Sequence, residues 1–281
     1  QWKKALELFN VMMDYGVQPD VITFGVAIGA CEKGGQWEKV LELFSSMKDL
    51  RVQPDVTTFN SAIGACEKVG KQEKALALFN SMKYSGVKPD VITVNAAISA
   101  CRKGGQWKKA LELFGSMKDQ EMQPNTITYN AAISACGKGG QWEKALELFD
   151  SMKDRGVKPE VNTFSAVISA CGKGGQWEKM IELFISMKYF GVKPDVRTFN
   201  IAINACEEGG QWEKVLELFN AMEDYGVQPA IATFEAAISA CEKVGNPEKA
   251  QELTGLMKDL GLDIQEGCDP TSLKATNDTN P

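Results

Sequence analysis

Seven of the eight cysteines, Cys31, Cys66, Cys101, Cys136, Cys171, Cys206 and Cys241, stand 35 residues apart. Thiols in a row invite two chemistries, crosslinking and zinc binding. A spacing of one repeat places one thiol in each structural layer, and packed helices lie roughly 8–10 Å apart. That separation is too great for an unstrained disulfide. No Cys-x-x-Cys occurs and the sequence has no histidine, which argues against a zinc site. The thiols are expected to be small buried hydrophobes in a reduced compartment.

Catalytic motifs are equally scarce. There is no Gly-x-x-x-x-Gly-Lys-Ser/Thr phosphate loop, and Gly-Gly pairs such as Gly104-Gly105 read as interhelix turns. The segment 266–281 is polar, too short for a catalytic domain, and expected to be disordered. No catalytic residue, metal or cofactor is assigned, and no enzymatic activity is expected. The 44% apolar and 24% charged fractions are those of a folded soluble protein. No apolar run reaches the ~20 residues of a membrane span, so no membrane partner is expected. The net charge of −6 disfavours indiscriminate binding to nucleic acid or anionic lipid.

The elements that position these residues follow from internal repetition. Pro19-Asp20-Val21, Pro89-Asp90-Val91 and Pro194-Asp195-Val196 fix the frame. Seven units follow: 21–55, 56–90, 91–125, 126–160, 161–195, 196–230 and 231–265. Residues 1–20 form a partial unit with only its second helix, so the chain is expected to be a fragment. Its uncapped apolar face is expected to fray or self-associate.

In unit 126–160, Tyr129, Ala132, Ile133 and Cys136 fall at helical spacing, and Gly139-Gly140 breaks the chain. Trp142, Ala145, Leu146, Phe149 and Met152 then share one face of a second amphipathic helix. Val157-Lys158-Pro159 is expected to end it, because proline cannot continue a helix. Neither helix can bury its stripe alone, so stacked neighbours must cover it. The Trp row (Trp2, Trp37, Trp107, Trp142, Trp177, Trp212) is expected to pack between hairpins, with base stacking as the alternative. Met117 and Met152 read as core, and Glu143, Lys144 and Glu147 as a solvated outer face.

The 35-residue period, the terminal Val-x-Pro-Asp and starts such as Val196-Arg197-Thr198-Phe199-Asn200 resemble the pentatricopeptide-repeat family. The resemblance covers residues 1 to about 265. It implies an all-α fold, a right-handed α-solenoid superhelix of helix-turn-helix repeats whose first helices line the concave face. It also implies single-stranded RNA binding at one base per repeat. In the family the fifth residue reads the base together with the last. Here the fifth residues are Gly25, Asn60, Asn95, Asn130, Ser165, Asn200 and Glu235. The matching last residues are Asp55, Asp90, Asn125, Glu160, Asp195, Ala230 and Gln265.

A carboxylate only accepts hydrogen bonds and so favours a ring N–H, as in U or G. Asn also donates, and so tolerates C or A. Asn at the fifth place suits pyrimidines, whereas Ser or Gly leaves room for a purine. The implied target is 5′-GUCUGYN-3′. Ile22, Ile92 and Ile127 match the family's aliphatic second residue, which wedges between bases. Arg197 stands in that place as a stacking guanidinium, and Thr57, Asn162 and Ala232 depart from the pattern. Lys33, Lys68, Lys103, Lys138, Lys173 and Lys243 resemble the family's phosphate-contacting row. As an alternative they are helix C-terminal cations complementing the macrodipole. Glu208 interrupts the row beside Glu207.

The resemblance implies a mitochondrial or chloroplast location. It implies a role in organellar RNA stabilisation, processing, editing support or translation, with protein partners for processing. The acidic balance supports an alternative, a protein- or peptide-binding helical-repeat scaffold.

Overall fold

The computed structural model describes residues 1–262. Gln265, Cys268 and the tail 266–281 lie outside the described residues. The described residues form helices of two alternating kinds. The inner helices are α2 (Val21–Lys33), α4 (Val56–Lys68), α6 (Val91–Lys103), α8 (Thr126–Lys138), α10 (Val161–Lys173), α12 (Val196–Glu208) and α14 (Ile231–Lys243). The outer helices are α1 (Trp2–Asp14), α3 (Trp37–Asp49), α5 (Gln72–Tyr84), α7 (Trp107–Asp119), α9 (Trp142–Asp154), α11 (Trp177–Tyr189), α13 (Trp212–Asp224) and α15 (Pro247–Asp259). The chain is an all-α solenoid.

Five of the seven inner helices start where a short polar side chain takes up a free N–H group. Asp20, Asp55, Asp90, Asn125 and Asp195 have extended backbones and accept from the N–H three residues on. For Asp90 that bond, from Thr93 N, is 2.8 Å. Such a cap is worth about 1 kcal/mol. Glu160 and Ala230 hold the same place without a side-chain cap. The glutamate is one methylene too long, and alanine has no acceptor.

The outer helices end earlier than the proline signal predicts. In α9 the last helical residue is Asp154, and Gly156 takes φ +70°. Val157 N–H then donates to Met152 O at 3.0 Å, a left-handed turn that closes the helix before Pro159 is reached. Arg51 and Glu121 occupy the equivalent place with φ 56° and 55°, a strained conformation for residues with a Cβ.

The stacking explains the curvature. Each inner helix lies against the inner helices before and after it, and α6, α8 and α10 form the closest group. Among the described residues the backbone of each outer helix approaches inner helices and not another outer helix. Outer helices meet through long side chains, as where Lys74 lies over the Trp37 ring at 5.0 Å. A row packed tightly on one side and spread on the other must bend, with the inner helices on the concave side. Small residues permit the tight side: a Cβ on Gly137 would stand 3.0 Å from Ala170 Cβ, and one on Gly172 would stand 2.5 Å from Ala205 Cβ.

The interfaces repeat one recipe. Phe44 meets Phe59, Phe114 meets Tyr129, Phe149 meets Phe164 and Phe184 meets Phe199 edge to face, at centroid distances of 4.9, 5.1, 5.2 and 4.9 Å. Each pair joins an outer helix to the next inner helix, and such contacts add about 0.5–1.5 kcal/mol beyond their burial. Indoles fill the next gap. A Cβ on Gly34, Gly139, Gly174 or Gly209 would overlap Trp2, Trp107, Trp142 or Trp177 of the preceding outer helix. The tryptophans are packing residues between hairpins. The seven repeat cysteines are fully buried and unpaired. Burial pushes the Cys101, Cys136, Cys171 and Cys206 thiols up to about 11.

Candidate nucleic-acid interface

The concave row exposes an unusual set of side chains. Ile22, Ile92 and Ile127, each one residue past its helix start, are 71%, 65% and 64% exposed. Arg197, Thr57, Asn162 and Ala232 occupy the same place on their helices, also exposed. Ile92 and Ile127, on adjacent repeats, leave apolar side chains in water on the same face of the array. Ile127, Asn162 and Arg197 line a groove of about 450 Å³ that runs across α6, α8, α10 and α12. Asn95, Asn130 and Ser165 form its floor, and Arg102, Lys138 and Lys173 line it as well.

Two of the fifth-and-last pairs are joined directly. Asn60 Nδ2 donates to Asp90 Oδ1 at 3.2 Å and to Oδ2 at 3.3 Å. Asn95 Nδ2 donates to Asn125 Oδ1 at 3.4 Å. Neither Asn130 with Glu160 nor Ser165 with Asp195 makes a direct hydrogen bond among the described residues. Gly25 brings no side chain to Asp55, and Ala230 brings no polar atom to Asn200. Glu235 is exposed and its partner Gln265 lies outside the described residues.

A residue not singled out by the sequence reading connects these positions. Every inner helix carries Thr at its third place, and Thr58, Thr93, Thr128, Thr163, Thr198 and Thr233 are buried. Thr93 Oγ1 lies 2.6 Å from Asn60 Oδ1 and 2.8 Å from Asp90 Oδ1, and donates to one of them at a time. It also accepts from Asp90 N at 3.1 Å. Thr233 Oγ1 donates to Asn200 Oδ1 at 2.8 Å, and Ser165 Oγ meets Thr198 Oγ1 at 3.0 Å. The threonine thus orients the fifth residue of one repeat from the helix start of the next. The signal was present as Asp-Val-x-Thr, a capping pattern.

The last residue therefore has two tasks. Asp90 Oδ1 caps α6, and Oδ2 takes no part in the cap and accepts from Asn60 Nδ2 at 3.3 Å. Burial raises the Asp90 carboxyl, but hydrogen bonds from Thr93 and Asn60 outweigh it and hold the group below the ordinary value of 3.8. It stays an acceptor at neutral pH. Asn95 is 9% exposed, and its Oδ1, like Asn130 Oδ1, is buried with no hydrogen-bond partner. Leaving a buried amide oxygen unpaired costs about 1–3 kcal/mol.

The lysine row is not uniform. Lys68 Nζ pairs with Glu32 at 3.0 Å. Lys103 Nζ pairs with Glu67 at 2.9 Å and also donates to the Glu67 carbonyl at 2.8 Å. Lys138 and Lys173 make no ion pair among the described residues and line the groove. Lys33 lies in a separate depression with Gln1, Trp2 and Gly25. Lys243 is exposed at the far end. Among the described residues no three His, Cys, Asp or Glu side chains gather as a metal site, and no helix is long and apolar enough to cross a membrane.

Comparison with known families places this geometry. A profile described as pentatricopeptide repeat domain matches residues 7–69, 42–104, 77–139 and 216–273. PPR repeat family and PPR repeat profiles match 124–173, 163–208 and 197–227. The chain belongs to the pentatricopeptide-repeat family.

Among solved structures, this pentatricopeptide-repeat array is similar to the pentatricopeptide repeat protein PPR10 from maize, with 28% identity and a TM-score of 0.63. The match covers 93% of this chain and 38% of PPR10. A second PPR10 structure is in complex with an 18-nt psaJ RNA element, matched with a TM-score of 0.45 at the same identity, over 93% of this chain and 42% of that one. The PPR domain of Arabidopsis thaliana protein-only RNase P 1, solved in complex with tRNA, shares the fold at 20% identity and a TM-score of 0.54. That match covers 60% of this chain and 89% of that domain. No curated protein matches the sequence.

Proposed function

We propose that the array binds single-stranded RNA along its inner helices, reading one base per repeat through the fifth residue and the last. The observation that carries this reading is the Asn60–Asp90 and Asn95–Asn125 pairing. It holds two side chains 30 residues apart in sequence side by side on the concave face, with hydrogen-bonding capacity to spare. Asp90 Oδ2 suits the ring N–H of U. Asn125 Nδ2 is a donor not used in the Asn95 contact, which suits N3 of C. Ile92 and Ile127 supply apolar surface between successive bases. The target remains 5′-GUCUGYN-3′, with Ser165 and Asp195 reading G.

Membership of the pentatricopeptide-repeat family, whose repeats read one base each, supports such a ligand. An array of this kind acts by occlusion or remodelling: it covers a transcript segment, opens a hairpin or places a protein partner. We assign it to RNA stabilisation, processing, editing support or translation in a mitochondrion or chloroplast. Selection from a random RNA pool tests the reading. Enrichment of GUCUGY is the expected result. A pool that stays random after repeated rounds at low salt contradicts it and leaves the concave face as a peptide groove.

A further inference from the structure

The charge on the inner row divides the array into three zones. At the end of each inner helix, two adjacent positions face the neighbouring repeats. Repeats one and two carry Glu32-Lys33 and Glu67-Lys68, each neutral as a pair. Repeat three carries Arg102-Lys103, while repeats four and five carry Gly137-Lys138 and Gly172-Lys173. Repeat six carries Glu207-Glu208, and repeat seven is neutral with Glu242-Lys243.

The stacking turns this pattern into contacts. Each lysine reaches back to the glutamate of the repeat before it, so Lys68 is held by Glu32 and Lys103 by Glu67. Both glutamates are mostly buried in the pair, with side chains 20% and 16% exposed, and Ser99 Oγ adds a 2.7 Å bond to Glu67. The carboxylates are held in place, while Lys68 and Lys103 remain 58% and 32% exposed. The ladder stops at Arg102. Lys138 would reach back to an arginine and Lys173 to Gly137, so neither finds a carboxylate. Gly137 and Gly172 cannot be replaced by glutamate without displacing Ala170 and Ala205. The uncompensated cations of the groove are therefore Arg102, Lys138, Lys173 and Arg197; Lys33 also makes no ion pair among the described residues, but it lies outside this groove in its own depression.

Resting on the RNA reading above, we infer that the RNA phosphate backbone is anchored at these four cations alone, and that Glu32 and Glu67 withhold Lys68 and Lys103 from it. Repeats three to five, with Arg197 at the start of repeat six, are the seat that captures RNA. Repeats one and two read bases on a strand already anchored. The Glu207-Glu208 step marks where the backbone leaves the surface.

The salt dependence of affinity reads the number of phosphate contacts directly, about 0.7 in the logarithmic slope per cation on a single strand. With labelled 5′-GUCUGYN-3′ and the whole chain, four anchors give a slope near −2.8. That is about a fifty-fold loss over a fourfold rise in salt. The double variant K138Q/K173Q halves the slope to about −1.4. E32Q/E67Q keeps the size of both side chains, frees two lysines, and steepens it to about −4.2 with tighter binding at low salt. E38Q/E143Q, on the outer helices, removes the same charge and leaves slope and affinity unchanged. A wild-type slope already near −4.2 overturns the inference but leaves RNA binding standing. So does an E32Q/E67Q variant indistinguishable from E38Q/E143Q. No binding to RNA by any variant at low salt overturns the RNA reading itself.

Discussion

Asn60 Nδ2 donates to both carboxylate oxygens of Asp90, at 3.2 and 3.3 Å, although the two residues are 30 positions apart. Asp90 at the same time caps α6 through Thr93 N at 2.8 Å. One side chain therefore belongs to the helix start of one repeat and to the candidate reading position of the one before. Local stability and ligand preference are coupled at this point, and substitutions there separate them.

Asn60→Ser tests the reading position. Ser165 shows what a serine does here: it turns to Thr198 Oγ1 at 3.0 Å and makes no bond to its own Asp195, which caps α12. Serine at 60 is expected to open space for a purine and move the preference at the second base from U to G. The change is about tenfold, since one misplaced bidentate base contact is worth about 1–3 kcal/mol in DNA readout. Competition between two RNAs differing only at that base measures it. An unchanged preference for U shows that residue 60 does not select the base.

Ala230→Asp couples the two tasks in the gaining direction. The N–H of Thr233 lacks a side-chain cap, and an aspartate there is expected to add about 1 kcal/mol of stability. The same change gives Asn200 an acceptor partner and narrows its pyrimidine preference to U. Denaturant melts and base competition are read on the same variant. A stability gain with no change in base preference confines residue 230 to capping.

Much of the fold was legible because repetition averages out local ambiguity. The frame set by Pro-Asp-Val, the buried Cys136, Phe149 and Met152, and the tryptophan between hairpins all follow from one face at helical spacing. Three features were not legible. The end of α9 depends on Gly156 in a left-handed turn, a stronger signal than the more distant Pro159. Thr93 sits in a capping pattern, but its bond to Asn60 one repeat earlier arises only from the stacking of the two repeats. The pairing of Lys68 with Glu32 spans 36 residues and arises only from how closely the inner helices stack.

Arg51→Gly and Glu121→Gly are expected to stabilise the array. A Cβ in the left-handed region costs about 1–2 kcal/mol, and glycine returns about 0.4–1 kcal/mol of that through its freer unfolded chain. The net gain is about 0.5–1 kcal/mol for each, seen as a higher denaturation midpoint with unchanged slope. A lower midpoint for either variant shows that its left-handed turn is not strained.

The buried thiols give a pH dependence. Their folded values lie above the ordinary 9.0, at about 11 for Cys101, Cys136, Cys171 and Cys206, because burial penalises the thiolate. A raised folded value means the stabilisation is complete below pH 9 and is lost as pH climbs from 9 towards 11. Stability is expected to fall across that window, and the fall to shrink in the Cys136→Ala/Cys171→Ala double variant. The seven repeat thiols should also resist a thiol reagent at pH 8 until denaturant is added. Rapid labelling in the native state contradicts their burial.

The central claim is base reading by the inner helices. Fluorescence anisotropy of labelled 5′-GUCUGYN-3′ against a scrambled RNA of the same composition, at low and physiological salt, addresses it most directly. Tighter binding of the first RNA at both salt concentrations is the predicted result. Equal affinity for the two RNAs, or none for either at low salt, contradicts it.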